Sequence, residues 1–202
     1  MMRCRRTSLP ALTASAILIL VPVLAASAEA RIPDAVSAHQ ARACPNANRP
    51  ATRSTIPAMR IAVLCLINEQ RASHGLPSLR ADDRLNDSAQ SWSNRMVATH
   101  SFTHGTNFAA RISAAGFKWS SAGENIATGF MTPRQVVNGW MGSTGHCENI
   151  LSPTYRDVGT GVNRHAVGGY ASGPATWTQD FALPMGKSAP SRRVGPMDRC
   201  PY

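Results

Sequence analysis

Three stretches of the chain carry apolar residues at the spacing of a helix that buries one face. The first begins at Thr55 and ends at Gly75, since glycine adopts the left-handed backbone of a helix end without strain. The second begins at Asp82, and the third at Thr132, which Pro133 follows at the first helical position. The apolar positions on the predicted buried faces are Met59, Ala62, Val63, Leu66 and Ile67; Leu85, Ala89, Trp92 and Met96; and Val136, Val137, Trp140 and Met141.

Alternating apolar and polar residues appear later in the chain and predict two strands, over 157–163 and 175–183. Gly168 and Gly169 lie between them, so the two strands are expected to form an antiparallel hairpin. A short helix over 108–115, ended by Gly116, precedes this region. Because the helices come first and no strand–helix–strand alternation is visible, the pattern predicts an α+β domain.

The first thirty residues have the pattern of a cleavable secretory signal. Three arginines precede an apolar run over 9–26, and Ala28 and Ala30 occupy the small-residue positions of a cleavage site. An uncleaved anchor is the alternative, but prolines interrupt the run, and a span needs roughly 20 apolar residues. We therefore expect a secreted protein with no transmembrane segment after cleavage. It would have an extended arm over 31–54, a domain over 55–183 and a Pro-rich tail over 184–202.

Removal of the signal takes away three of the 21 basic residues and one of the 11 acidic residues, which leaves a net charge of +8. This balance suits anionic partners. The charge is scattered along the chain, however, and Arg192–Arg193 is the only basic pair of the mature sequence. No basic stripe alternates with aromatic residues, so a nucleic-acid partner is not predicted. We expect a monomer.

Four cysteines remain after cleavage, an even number that indicates two disulfides in an exported chain. Three connectivities are open. We favour Cys44–Cys65, which closes a short local loop, and Cys147–Cys200, which attaches the tail. No pair has the C-x-x-C spacing of a zinc ribbon or a redox motif.

Two histidines and one glutamate are candidates for chemistry. His104 ends a loop after the second helix, His146 follows the glycine-rich exit of the last predicted helix, and Glu124 precedes a short apolar stretch. Binding groups concentrate on loop ends that a packed scaffold holds in place. Two imidazoles and a carboxylate could hold a divalent cation and leave one coordination position open. Spacing alone, however, favours ordinary surface roles for each residue.

Seven sequence pieces in order resemble one family. The sequence is similar to the bacterial branch of the CAP superfamily, the SCP-like proteins that include cysteine-rich secretory proteins, antigen 5 and pathogenesis-related proteins. The resemblance covers roughly residues 60 to 182. The pieces are Cys65-Leu-Ile-Asn-Glu-Gln-Arg71, Gly75-Leu-Pro-Ser-Leu79, Phe102-Thr-His104, Arg111-Ile112 with Ala115-Gly116-Phe117, Gly123-Glu-Asn-Ile126, Trp140-Met-Gly-Ser-Thr-Gly-His146 and Asn149-Ile150.

The resemblance implies an α-β-α sandwich with a central antiparallel sheet and a cleft that holds two histidines and two acids. His104, Glu124 and His146 match three of these positions, and Asn125 follows Glu124 in the same motif. Ser143 stands where the family has its second acid, so one charge and one oxygen ligand are missing. Glu148 is an acid in the same region, but no motif places it in the cleft. The expected metal ligands are therefore His104, Glu124 and His146, with zinc, calcium or magnesium as the cation.

Two functions follow from this interpretation. The first, which we favour, is an extracellular binding module whose cleft faces a lipid, a glycan or a cell-wall component. The alternative is a metal-assisted hydrolase of peptide or cell-wall polymer, in which Glu124 is a ligand or the general base to a bound water. Ser143 lacks the glycine two residues ahead that a nucleophile elbow requires, and Cys147 is expected to be oxidised. Neither residue is therefore proposed as a nucleophile.

Overall fold

The computed structural model describes residues 44–171, 173–190 and Cys200. The signal sequence predicted over 1–30 lies outside the described residues, as do 31–43 of the arm and most of the tail. The helices are a 3₁₀ helix (Ala51–Arg53), α1 (Ile56–Ser73), α2 (Asp83–Ala98), α3 (Phe108–Ala114), α4 (Pro133–Met141) and α5 (Thr144–Ile150). The strands are β1 (Arg80–Ala81), β2 (Trp119–Thr128), β3 (Asp157–Asn163) and β4 (Thr176–Pro184).

The predicted helix starts are confirmed by the side chains that cap them. Thr55 accepts a hydrogen bond from the backbone of α1, and Asp82 accepts one from Arg84 N at 2.9 Å. Thr132 and Gln135 form a reciprocal capping box at the start of α4. Each cap satisfies backbone N–H groups that have no partner inside the helix. These three helices therefore begin where the sequence places a capping residue ahead of an apolar period.

The sheet has the strand order β1-β3-β4-β2, with β1 parallel to β3 and the other pairs antiparallel. Helix α2 packs on β3 and β4, with α3 against α2 and β2, while α1, α4 and α5 pack together and contact β3 and β2. The result is an α-β-α sandwich, as predicted. Gly159 and Gly161 allow the close packing of α2, because a Cβ at either would lie 2.0–2.2 Å from its backbone.

The first family motif ends in Arg71, a fully buried arginine that links two helices. Arg71, at the end of α1, donates to Pro77 O at 2.8 Å, to Ile150 O at 2.7 Å and to Ser152 O at 2.8 Å. Burial lowers the pKa of its guanidinium to about 10. Ile150 is the last residue of α5, where carbonyls have no partner inside the helix, and Ser152 lies just beyond the helix end. Arg71 therefore fixes α5 against α1.

Two elements differ from the sequence prediction. Residues 144–150 form α5 rather than a loop, and residues 80–81 form the short strand β1. Gly142 and Gly145 weaken the local helical pattern, so α5 depends on tertiary contacts: Cys147 and Ile150 are buried, and Arg71 binds its last carbonyl. The acid-bearing stretch after Gly123 lies inside the ten-residue strand β2.

Both favoured cysteine pairs are disulfides in the structure. Cys44 is bonded to Cys65 on α1, and Cys147 on α5 is bonded to Cys200. The first bond attaches the segment before the 3₁₀ helix to the domain. The second holds one residue of the tail against α5. Within the described residues, no helix has the length and apolar character needed to cross a membrane.

Candidate functional site

Glu124 lies at the centre of a buried ion pair. Its side chain is on β2 and has no exposed surface. Oε1 contacts His104 Nδ1 at 2.8 Å, and Oε2 accepts a hydrogen bond from the Arg111 guanidinium on α3. Both carboxylate oxygens are therefore occupied by side chains from outside the sheet. This pairing supplies the partners that a buried charge requires.

Arg111 is held in place by two further contacts. Its guanidinium lies 3.7 Å from the centre of the Trp92 ring, and it donates to His104 O at 2.9 Å. The indole N–H of Trp92 in turn donates to Thr103 O at 3.0 Å. The loop that carries His104 is thus attached to α2 through Trp92 and to Glu124 through Arg111. Nothing in the sequence motif assigned Arg111 this role.

His146 approaches the site from α5. Its Nδ1 contacts Ser143 Oγ at 2.9 Å, and its carbonyl accepts from Asn125 Nδ2 at 3.1 Å. Asn149 donates to Glu124 O at 3.2 Å and to Asn125 Oδ1 at 2.9 Å, which attaches α5 to β2. Burial and, to a smaller extent, the nearby His104 lower the pKa of His146. The imidazole of His146 is therefore neutral at pH 7 and can accept a hydrogen bond or bind a cation.

An apolar groove of about 430 Å³ extends from His146 along the outer edge of β2. Ser143, His146, Thr128 and the Tyr170 hydroxyl are its polar side-chain groups, and the other lining residues are mainly apolar or aromatic. The rings of Phe102 and Tyr170 lie 5.8 Å apart on its rim, with Tyr170 57% exposed. The remaining lining residues are Ile126, Ala127, Phe130, Gly139 and Trp140.

Sequence reasoning missed a second acid behind Glu124. Asp180 lies opposite Glu124 in the β2–β4 register and is 0% exposed. Burial, reinforced by the charge of Glu124, raises the pKa of Asp180 to about 8. Neither of its carboxylate oxygens has a hydrogen-bond partner within the described residues. The alternation of the predicted strand puts Asp180 on the polar face with Thr176 and Thr178, so no sequence signal marked it as buried.

The predicted metal ligands divide into two kinds. Glu124 does not fit a direct ligand, because Arg111 and His104 already occupy both oxygens. The imidazoles fit better: Nδ1 of each is engaged, and no hydrogen bond to either Nε2 occurs in the described part of the chain. In the same described part of the chain, only one group of three potential metal ligands lies within 4.8 Å of one another, namely Cys44, Cys65 and Glu69. Its two cysteines are joined in a disulfide, so this group is not a metal site.

Glu148 lies on the exposed side of α5, next to the buried Cys147. It forms no hydrogen bond or ion pair with the described site residues. This agrees with the sequence, in which no motif places Glu148 in the cleft. The site is therefore built from His104, Glu124, Arg111 and His146, with Ser143, Asn125 and Asn149 in support.

Comparison with known proteins identifies the same region. The model of the cysteine-rich secretory protein family, CAP, matches residues 64–181. YkwD of Bacillus subtilis is 35% identical over 133 residues, which are 63% of this chain and 48% of that protein. The B. subtilis membrane protein YlbC is 31% identical over 106 residues, 50% of this chain and 31% of its own length. The chain thus spans about half or less of each of these relatives.

Solved structures show the same fold. An extracellular SCP-domain protein from Bacillus anthracis matches with a TM-score of 0.55 and 26% identity, over 63% of this chain and 41% of that one. A cysteine-rich secretory protein from Staphylococcus aureus matches with a TM-score of 0.54 and 18% identity, over 64% and 40% of the two chains. These matches confirm the fold expected from the sequence motifs.

Proposed function

The chain belongs to the cysteine-rich secretory protein family, and on this premise we propose that it is a secreted binding module. The B. anthracis relative is described as extracellular, which supports the same location for this protein. The two disulfides agree with an oxidising compartment. Secretion would follow from cleavage of the signal predicted over residues 1–30.

The groove beside His146 is the observation that carries the proposal. It is open and mainly apolar, and its polar side-chain groups, on Ser143, His146, Thr128 and Tyr170, are few. Binding sites for small molecules have this composition, because apolar walls supply affinity and a few polar groups fix orientation. We infer a ligand with an extended apolar part and a polar end that contacts His146. Among the expected partners, a lipid or a lipid-linked wall component fits this description better than an unmodified glycan.

A divalent cation at the polar end would be held by the imidazoles of His104 and His146. Glu124 would then orient His104 by accepting the proton of its Nδ1, which leaves Nε2 to bind the metal. Arg111 in turn fixes Glu124. The chemistry that the cation would supply is positive charge for a polar or anionic ligand group.

The alternative, a metal-assisted hydrolase, is less well supported by the site. A general base must reach the attacking water, whereas the Glu124 side chain has no exposed surface and each of its oxygens already has a side-chain partner. The contact between Ser143 and His146 joins residues three positions apart at the start of α5. No third side chain among the described residues hydrogen-bonds Nε2 of that imidazole, as an activated serine–histidine pair would need.

Calorimetric titration of the purified protein with Zn²⁺ tests the cleft. We expect the wild-type protein to bind the ion and the double variant His104→Ala/His146→Ala to lose this binding. His165→Ala is the matched control, because His165 is exposed and its imidazole has no contact with the site. Circular dichroism of all three proteins checks that the fold is retained.

Unchanged Zn²⁺ binding by the double variant would contradict a cation at the two imidazoles. A parallel incubation with peptides and cell-wall polymer, with and without chelator, separates the two functions. Turnover that the chelator abolishes would favour the hydrolase, whereas absence of turnover by the metal-loaded protein agrees with a binding module.

A further inference from the structure

Four arginines from three separate stretches of the chain meet around the 3₁₀ helix. Arg164 donates to Ala51 O at 3.2 Å and to Ser54 O at 2.8 Å. Arg134, on α4, donates through Nε to Asn48 Oδ1 at 2.9 Å. Arg49 and Arg53 belong to the same short segment and are exposed. We call Arg49, Arg53, Arg134 and Arg164 the arginine patch.

The backbone beneath the patch is firmly attached to the domain. The Cys44–Cys65 disulfide fixes the start of the segment to α1. Ala51 N donates to Met131 O at 2.8 Å, and Arg134 N donates to Ala47 O at 2.9 Å. The positive charges therefore stand on a preorganised surface, which lowers the entropy that a ligand must overcome on binding.

The described residues place one carboxylate beside the start of this segment, that of Glu69 near the Cys44–Cys65 disulfide, and it forms no ion pair with the four arginines. The segments that form the patch contain no Asp or Glu, because the sequence has none over 35–68, 125–147 or 158–179. None of the four arginines takes part in an ion pair among the described residues. Arg80 and Arg84, by contrast, are each paired with an aspartate. The patch thus concentrates charge that the sequence alone shows only as scattered.

We propose that the arginine patch binds a linear anionic polymer with repeated phosphate or carboxylate groups. Guanidinium groups suit these oxyanions, since they donate two parallel hydrogen bonds in a fixed plane. A membrane surface fits less well: Met131, 43% exposed, is the large exposed apolar residue that the described structure shows in contact with the 3₁₀ helix, and peripheral membrane binding needs a larger apolar face. This site is separate from the proposed cleft function and does not depend on it.

The test compares two double variants with the same loss of charge. Arg49→Gln/Arg53→Gln removes the two patch side chains that form no hydrogen bond with the described residues, so the fold is not disturbed. Lys118→Gln/Lys187→Gln is the control, because both lysines are exposed at the opposite end of β4. The nine residues of β4 separate the two surfaces by roughly 27 Å, well beyond the screening length at 0.1 M salt.

Binding of long-chain inorganic polyphosphate and of polygalacturonate is measured over a series of NaCl concentrations. Each arginine that contacts the polymer adds about 0.7 to the slope of log affinity against log salt, so the patch variant should lose about 1.4. If the variant and the wild type bind equally at 1 M salt, this difference in slope makes the variant bind about 25-fold more weakly than the wild type at 0.1 M salt. The lysine variant should change the affinity by less than about threefold, since its charges are screened from the patch.

Three results would overturn the proposal. Equal losses in the two variants would show that only net charge matters. No binding of either polymer by the wild-type protein would exclude the site. Tighter binding to vesicles of anionic phospholipid than to both polymers, lost in the Arg49→Gln/Arg53→Gln variant, would assign the patch to a membrane surface instead.

Discussion

The buried carboxyl of Asp180 makes stability depend on pH in a direction that one substitution can test. Its pKa is raised to about 8 in the folded protein, first by burial and then by Glu124, against an ordinary value of 3.8. Between these values the folded chain keeps a proton that the unfolded chain has lost. The free energy of unfolding therefore falls as the pH rises through this window.

Each pH unit inside this window lowers the free energy of unfolding by up to about 1.4 kcal/mol. The change from pH 5 to pH 7 therefore lowers it by about 3 kcal/mol through Asp180 alone. Asp180→Asn replaces the protonated acid with a neutral group of the same shape. We expect the stability of the variant relative to the wild type to increase by about 3 kcal/mol between pH 5 and pH 7. Urea unfolding, followed by tryptophan fluorescence at pH 5, 6, 7 and 8, measures the difference.

The difference between the two proteins isolates Asp180. The lowered pKa of His146 acts in the opposite direction, because the unfolded chain then binds the extra proton below pH 6.5, but His146 is present in both proteins. Parallel stability curves between pH 5 and pH 8 would refute the reasoning. If the variant fails to fold, the infrared band of a protonated carboxyl in the wild type at pH 7 provides the same test.

Two further changes test how the scaffold holds the site. Gly161→Ala should lower the stability by at least about 3 kcal/mol, because its Cβ would lie 2.2 Å from the backbone of Ala89. Gly145→Ala should cause no loss of stability, because a Cβ there has nothing within 4 Å. Thermal unfolding of both variants gives the comparison. Replacing Cys147 and Cys200 by alanine opens a loop closed over 53 residues and should lower stability by about 4 kcal/mol in urea; a loss below about 1 kcal/mol would show that the tail constraint is unimportant.

Local sequence patterns were sufficient for most of the scaffold. The starts of α1, α2 and α4 could be predicted because a capping residue and an apolar period lie in the same short window. Strand β3 matches its prediction at both ends, since its alternation is bounded by turns. The family motifs supplied the layer arrangement, which no local pattern contains.

Elements that depend on distant partners could not be predicted in this way. Helix α5 contains Gly145 and has only seven residues, so Arg71, at the far end of α1, contributes to its stability. Strand β1 is two residues long and exists only because β3 lies beside it. Asp180 was part of a correctly predicted strand, but its burial depends on the packing of α2 and α3 over that face.

Arg111 shows most clearly what the structure adds to the site. The sequence presents Arg111 and Glu124 as two separate family pieces, 13 residues apart, whereas the fold joins them in one ion pair beneath His104. The Arg111 guanidinium therefore binds one oxygen of the Glu124 carboxylate, a group that the sequence motif alone presents as a metal ligand. The basic atoms left for a ligand are the two Nε2 atoms of His104 and His146. Since burial lowers the pKa of His146 from its ordinary value of 6.5, its nitrogen is free of a proton at neutral pH, and binding there should weaken as the pH falls through the lowered pKa.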